Sequence, residues 1–139
     1  MKNEQIESFL KWEQMSRDTI DVKKCYIDIA GDLVAGILLS QIIYWFLPSN
    51  KGNSKLGASL KGEPCLAKNR DDWWSECRIT GKQYDRAIKV LMARGLVKVK
   101  NSMFSGKKTP FIILNWEKLS VDLGVTPSNN EIDGDDVWG

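Results

Sequence analysis

The chain has 139 residues, 42% hydrophobic and 27% charged, with a net charge of only +2; it is one domain's worth of core with no overall bias toward acidic or basic partners. There is no histidine, which removes the commonest general base, the usual hydrolase triads and any zinc site short of four cysteines. Its three cysteines, Cys25, Cys65 and Cys77, are scattered and odd in number, so neither a disulfide framework nor a metal site is expected, and free thiols in a reducing cytoplasm are the simplest account.

The opening segment, MKNEQIESFLKWEQ, is charged throughout and reads as an amphipathic helix bearing Ile6, Phe9, Leu10 and Trp12, not as a secretion signal. Ser16-Arg17-Asp18 breaks the pattern, which sets residues 1–18 apart as an N-terminal arm. Thr19 to Ile29 carries β-branched residues in near-alternation over too short a span to fix an element. Asp32 is placed to cap the apolar run Leu33 to Leu47, LVAGILLSQIIYWFL, which Pro48-Ser49-Asn50 ends. A membrane-spanning helix needs about 20 apolar residues. This run is shorter and interrupted by Ser40 and Gln41, so a buried core helix is expected and no membrane partner.

Lys51 to Lys61 is rich in Gly, Ser and Lys, as a loop or hairpin tip is, and Leu56–Leu60 and Glu63–Ala67 flank Lys61-Gly62 as short pairing strands. Asn69 to Cys77 reads as a compact helix whose Asp71 and Asp72 suit the dipole at its start. Arg78-Ile79 makes a tight connection. Thr80 then caps a helix from Gly81 to Arg94, with Gly95 in the left-handed position beyond it. Tyr84, Ala87, Ile88 and Leu91 recur at helical spacing on its buried side. Leu96 to Lys100 alternates apolar and basic as a half-buried strand does, Ser105-Gly106-Lys107 turns the chain, Phe111–Leu114 returns, and Trp116 to Leu123 closes the domain as a helix. Of Trp73 and Trp74, one ring is expected in the core and the other over a helix junction. Residues 124–139 form an acidic tail, with four acids and no base after Pro127, read as a disordered or docking segment. The expected fold is mainly α with a small antiparallel β-hairpin or sheet, residues 19–123 forming a winged helix-turn-helix domain.

Helix, short connection, helix, strand, turn, strand is the order in which a helix-turn-helix presents its second helix to the major groove, the groove wide enough to admit one. Charge sorting agrees. From Arg78 to Lys108 there are nine basic residues and one acid, Asp85, so this segment carries +8 and leaves −6 for the rest of the chain. A near-neutral total thus conceals a strongly basic module of the kind phosphate binding requires. The expected DNA-contacting set is Arg78, Thr80, Lys82, Gln83, Arg86, Lys89, Lys100, Lys107 and Lys108. Gln83 and Arg86 are three apart on the helix and can make bidentate contacts to base edges, whereas lysine more often meets phosphate.

The segment LAKNRDDWWSECRITGKQYDRAIKVLMARGLVKVKNSMFSGKKTPFIILNW resembles the N-terminal winged-helix domain of phage and plasmid replication initiators and replisome organisers (DnaD-like proteins) of Gram-positive hosts. Upstream, VKKCYIDIAGDLVAGILLSQIIYWF is similar to the stretch that precedes this module in such proteins, where it forms the helix against which the helix-turn-helix packs. The resemblance covers Thr19 to Leu119 and implies origin binding or replisome loading on a mobile element. Such relatives continue into a second domain that recruits a helicase loader or drives oligomerisation, in place of the acidic tail found here.

Two other roles fit the same fold. One is transcriptional regulation, which keeps the DNA contact. The other is binding, inhibiting or adapting a host protein, with Trp12, the acidic tail or Trp138 in the contact. An enzyme is the weakest class, since the chain has no G-x-x-x-x-G-K-[ST] phosphate loop and no metal-ligand cluster, and no cofactor is expected. Asp71, Asp72 and Glu76 are explained more economically by the helix dipole than by a divalent metal. The apolar arm, with Phe9 and Trp12, is expected to make a homodimer contact that pairs two recognition helices.

Overall fold

In the computed structural model, which describes residues 2–125, helix α1 (Lys2–Met15) leads through an extended connection to α2 (Lys24–Ala30) and α3 (Leu33–Phe46). Strands β1 (Ala58–Leu60) and β2 (Glu63–Ala67) follow, then α4 (Trp74–Cys77), α5 (Gly81–Ala93), β3 (Val97–Phe104), β4 (Lys107–Leu114) and α6 (Trp116–Leu123). All strand pairings are antiparallel and the sheet order is β1-β2-β4-β3. The described chain is therefore mainly helical with a small antiparallel sheet.

The apolar run becomes the central helix. Asp32 starts α3 by accepting the Ala35 N–H at 3.0 Å, and Leu47, just before Pro48, ends it. Leu38, Leu39 and Ile42 are fully buried, each burial worth roughly 1.5–3 kcal/mol relative to exposure. Gly36 allows α2 its close approach, because a Cβ there would lie 2.5 Å from the Ile27 Cα. No single helix among the described residues is long and apolar enough to cross a membrane, and α2 and α3 meet at a bend of 119°.

The fold settles one segment that the sequence leaves open and departs from the reading of another. Of the β-branched stretch before Gly31, which the sequence assigns to no element, Lys24–Ala30 is helical. Tyr26, Ile29 and Ala30 fall at helical spacing against the core, and Gly31 (φ 73) caps the helix by donating to the Ile27 carbonyl. Core packing here overrides a β-branched propensity. Within Asn69–Cys77 only Trp74–Cys77 is α-helical. Asp72 does not line a first helical turn; its carboxylate accepts the Asn69 N–H at 3.0 Å, while Asp71 lies 3.6 Å from Arg70. A short acidic side chain that bonds local backbone competes with helix. The resulting turn aims Trp73 into the core, where it is fully buried and stacked on Tyr84 (ring centroids 6.0 Å apart), and leaves Trp74 half exposed.

Both hairpins close through two-residue turns with positive φ at each position, Lys61-Gly62 and Ser105-Gly106. That is the I′ geometry whose twist matches the strands. Lys107 is thereby the first residue of β4, opposite Phe104, and not part of the turn. Val97, Val99, Ile112, Leu114 and Leu66 face the core. Helix α6 is capped by Asn115, which accepts the Lys118 N–H and donates to the Gly95 carbonyl. By contrast α1 has no buried residue, and Ile6, Phe9, Leu10, Trp12 and Met15 are all more than half exposed. Of the acidic tail, Gly124 (φ 72) caps α6, and residues 126–139 lie outside the described residues.

Candidate nucleic-acid interface

Helix α5 is held by a reciprocal cap. The Thr80 hydroxyl accepts the Gln83 N–H at 3.2 Å, and the Gln83 carboxamide oxygen accepts the Thr80 N–H at 2.8 Å. This satisfies two of the orphan donors at the helix start. Tyr84, Ala87, Ile88 and Leu91 are buried as their spacing requires, so Lys82, Gln83, Arg86 and Lys89 form one exposed stripe on the other side.

A largely buried polar cluster lies between α3 and α4. Glu76 of α4 pairs with Lys68 and accepts hydrogen bonds from Gln41 Nε2 at 3.1 Å and Trp45 Nε1 at 2.9 Å. The Lys68 ammonium also lies over the Trp45 and Trp73 rings. Three side chains, two from α3 and one from just beyond β2, thus converge on one carboxylate of α4, and removing it would strand a partly buried lysine.

Several side chains expected to contact DNA are already engaged. Arg86 forks onto Asp32, with Nη1 3.3 Å from Oδ1 and Nη2 3.1 Å from Oδ2. The Ala35 N–H, and after it Arg86, hold the Asp32 carboxyl below the usual carboxylate range. Asp85, the one acid of the basic segment, is gripped side-on by Arg70 through Nε at 3.1 Å and Nη2 at 2.8 Å, and its pKa is lowered chiefly by that hydrogen bond. Gln83, folded back into the cap, has its carboxamide oxygen occupied. Arg78 ends α4 in the left-handed region (φ 61), donates from Nη1 to the Trp74 carbonyl at 2.8 Å and lies over the Trp74 ring. Trp74 therefore covers the helix junction. Burial pushes Tyr84 up to about 12, so its hydroxyl stays neutral.

The hairpin lysines are arranged differently. Lys107 and Lys108 are successive residues of β4 and leave its opposite faces, opposite Phe104 and Met103 respectively. Lys98 and Lys100 share the face turned away from the core, in register with Ile113 and Phe111. There they line a groove of ≈ 330 Å³ together with Glu63, Asn115 and Trp116. The fold thus gathers Thr80, Lys82, Gln83, Arg86 and Lys89 on α5 and puts Lys107 and Lys108 at a hairpin tip, while Lys100 sits on the outer face of the sheet. Sequence reasoning missed Asp32 and Arg70, which fix the α5 charges from 54 and 15 residues away. Among the described residues no three carboxylate or cysteine groups gather as a metal site would need, and Cys25, Cys65 and Cys77 are free thiols. Compared with known proteins, the chain matches no family model, no curated protein and no solved structure.

Proposed function

We propose that residues 19–123 form a winged helix-turn-helix domain that binds duplex DNA, with α4 and α5 as the helix pair and the β3–β4 hairpin as the wing. One observation carries this reading. The segment Arg78–Lys108 holds six lysines, all six are exposed, and among the described residues none of them is in an ion pair. A solvated face tends to mix its charges; this one keeps its lysines free and ties its single acid to an arginine from outside the segment. Helix α5 offers a stripe for the major groove and the hairpin tip offers charge for the neighbouring backbone. Action in replication initiation of a phage or plasmid, with replisome or other host proteins as partners, rests on the resemblance of residues 66–116 to initiator domains. The test is binding to random duplex across a salt titration, followed by site selection. Affinity should fall with a log–log slope of about −0.9 per phosphate contacted, and a duplex affinity indifferent to salt would sink the reading.

The exposed apolar side of α1 supports a protein contact in addition, and we read it as the homodimer contact that sets two α5 helices on two half-sites. Sedimentation of a chain lacking residues 1–15 should show a monomer where the intact chain is a dimer. An unchanged mass rules the arm out, and retained capture of a host protein by a variant lacking Lys82, Arg86 and Lys107 would favour the adaptor role.

A further inference from the structure

The Asp32–Arg86 pair joins the N-cap residue of the core helix to the middle of α5, and its geometry constrains what Arg86 can bind. The two terminal amino groups of Arg86 each meet one oxygen of Asp32, end-on. That is the grip a guanidinium takes on two phosphate oxygens. The pair is accessible, with side-chain exposures of 56% for Arg86 and 28% for Asp32. Asp32 is also held by the helix it caps, since Oδ2, the oxygen that meets Arg86 Nη2, accepts the Ala35 N–H as well. It therefore cannot swing away with Arg86 without uncapping the core helix. A guanidinium has five N–H donors, and end-on engagement leaves the parallel pair along its side, Nε–H with one Nη–H, unoccupied.

We propose that Asp32 is a specificity-determining residue, an internal phosphate mimic that withholds Arg86 from the DNA backbone and leaves its side edge for a base. This rests on the DNA-binding reading of α5. On a random duplex a phosphate has to displace Asp32 to use Arg86, so non-specific binding proceeds on the lysines alone. At the preferred site Asp32 stays in place and holds the guanidinium plane, which lowers the entropy lost when the side edge docks on a base.

Asp32→Asn tests this in the full chain. Asparagine caps a helix as well as aspartate does, so α3 is retained while the charge is removed; Asp32→Ser, which caps but cannot reach Arg86 in the same way, is the second variant, and thermal melts verify both folds. Both should bind random duplex about five- to tenfold more tightly at low salt and steepen its log-salt slope by about one. The preferred site should gain less, so the ratio of preferred to random affinity falls. The gain on random duplex should vanish in the Arg86→Ala background. Equal gains with and without Arg86 would reduce Asp32 to bulk charge and overturn the proposal. So would Asp32 variants that bind no more tightly in a protein whose Arg86→Ala variant binds less well, although α5 would then still be the DNA contact. A wild-type chain without salt-dependent duplex binding overturns the proposal and the DNA-binding reading together.

Discussion

On α5, Arg86 is forked onto Asp32, Asp85 onto Arg70, and Gln83 is folded back onto Thr80. At the tip of the β3–β4 hairpin, Lys107 and Lys108 leave opposite faces of one strand, and among the described residues neither has a carboxylate within ion-pair distance. Both regions are basic and exposed, yet they are built for different work. A planar fork held at a fixed angle favours a ligand of matching geometry, whereas an ammonium on a four-carbon stem accepts any phosphate within reach. The support differs as well: α5 stands on buried core side chains, and the far end of the hairpin stands on strand pairing and the contact of Phe104 with Phe111. Net charge per segment hides this distinction, because it counts a tethered arginine and a free lysine alike.

The largest contrast should be in stability. Leu91 is fully buried beneath α5, so Leu91→Ala should lower unfolding stability by about 2–5 kcal/mol in urea denaturation. Lys107→Ala should stay within about 0.5 kcal/mol of wild type. If the two midpoints moved alike, the hairpin tip would be no less structural than α5.

Tyr84 sharpens the same contrast through pH. Its folded-state pKa of about 12 lies above the ordinary value of 10.0. Its contribution is therefore complete below pH 10 and is lost as pH rises from 10 through 12, where the unfolded chain ionises first. The loss should approach roughly 2–3 kcal/mol by pH 12. Tyr84→Phe should flatten that part of the stability profile, and an unchanged alkaline decline would mean the hydroxyl is in reach of water.

DNA binding should separate the regions next. Arg86→Ala should cost about 1–3 kcal/mol on the preferred site and blunt discrimination. Lys107→Ala should weaken all sequences similarly and lower the magnitude of the log-salt slope by about one. A Lys107 variant that lost discrimination, or an Arg86 variant that weakened every duplex equally, would exchange the two roles. The smallest effect belongs to the cap: Thr80→Ala should cost about 1 kcal/mol of stability. Because it also releases Gln83, comparing its site preference with wild type reads whether that tether matters for recognition.

Much of the fold was legible where neighbouring residues settle the matter. The Asp32 cap, the Thr80 cap, the left-handed Gly95 (φ 74), the two hairpins and the bounds of α6 all follow from chemistry within a few residues. That one ring of Trp73 and Trp74 belongs in the core was equally legible, but that it is Trp73 was decided by the packed fold. The tether on Gln83 was legible too, since Thr80-Gly-Lys-Gln83 spells a capping box, and a reading of Gln83 as free for base contacts passes over it. Helix α2 was not legible, because near-alternating β-branched residues carry little of either period over so short a span, and contact with α3 decided it.

By itself, then, the sequence determined the basic stripe, the order of helices and strands around it and the caps that begin and end them, because period, turn chemistry and capping act over three or four residues. Only the tertiary structure decided which of those charges are free. Asp32 meets Arg86 and Glu76 meets Lys68, Gln41 and Trp45 because α3 passes behind the helix pair. Lys100 turns away from α5 because Val97 and Val99 claim the core side of β3. Those outcomes depend on which surfaces bury against each other, and burial is a property of the packed chain that no local window of residues contains.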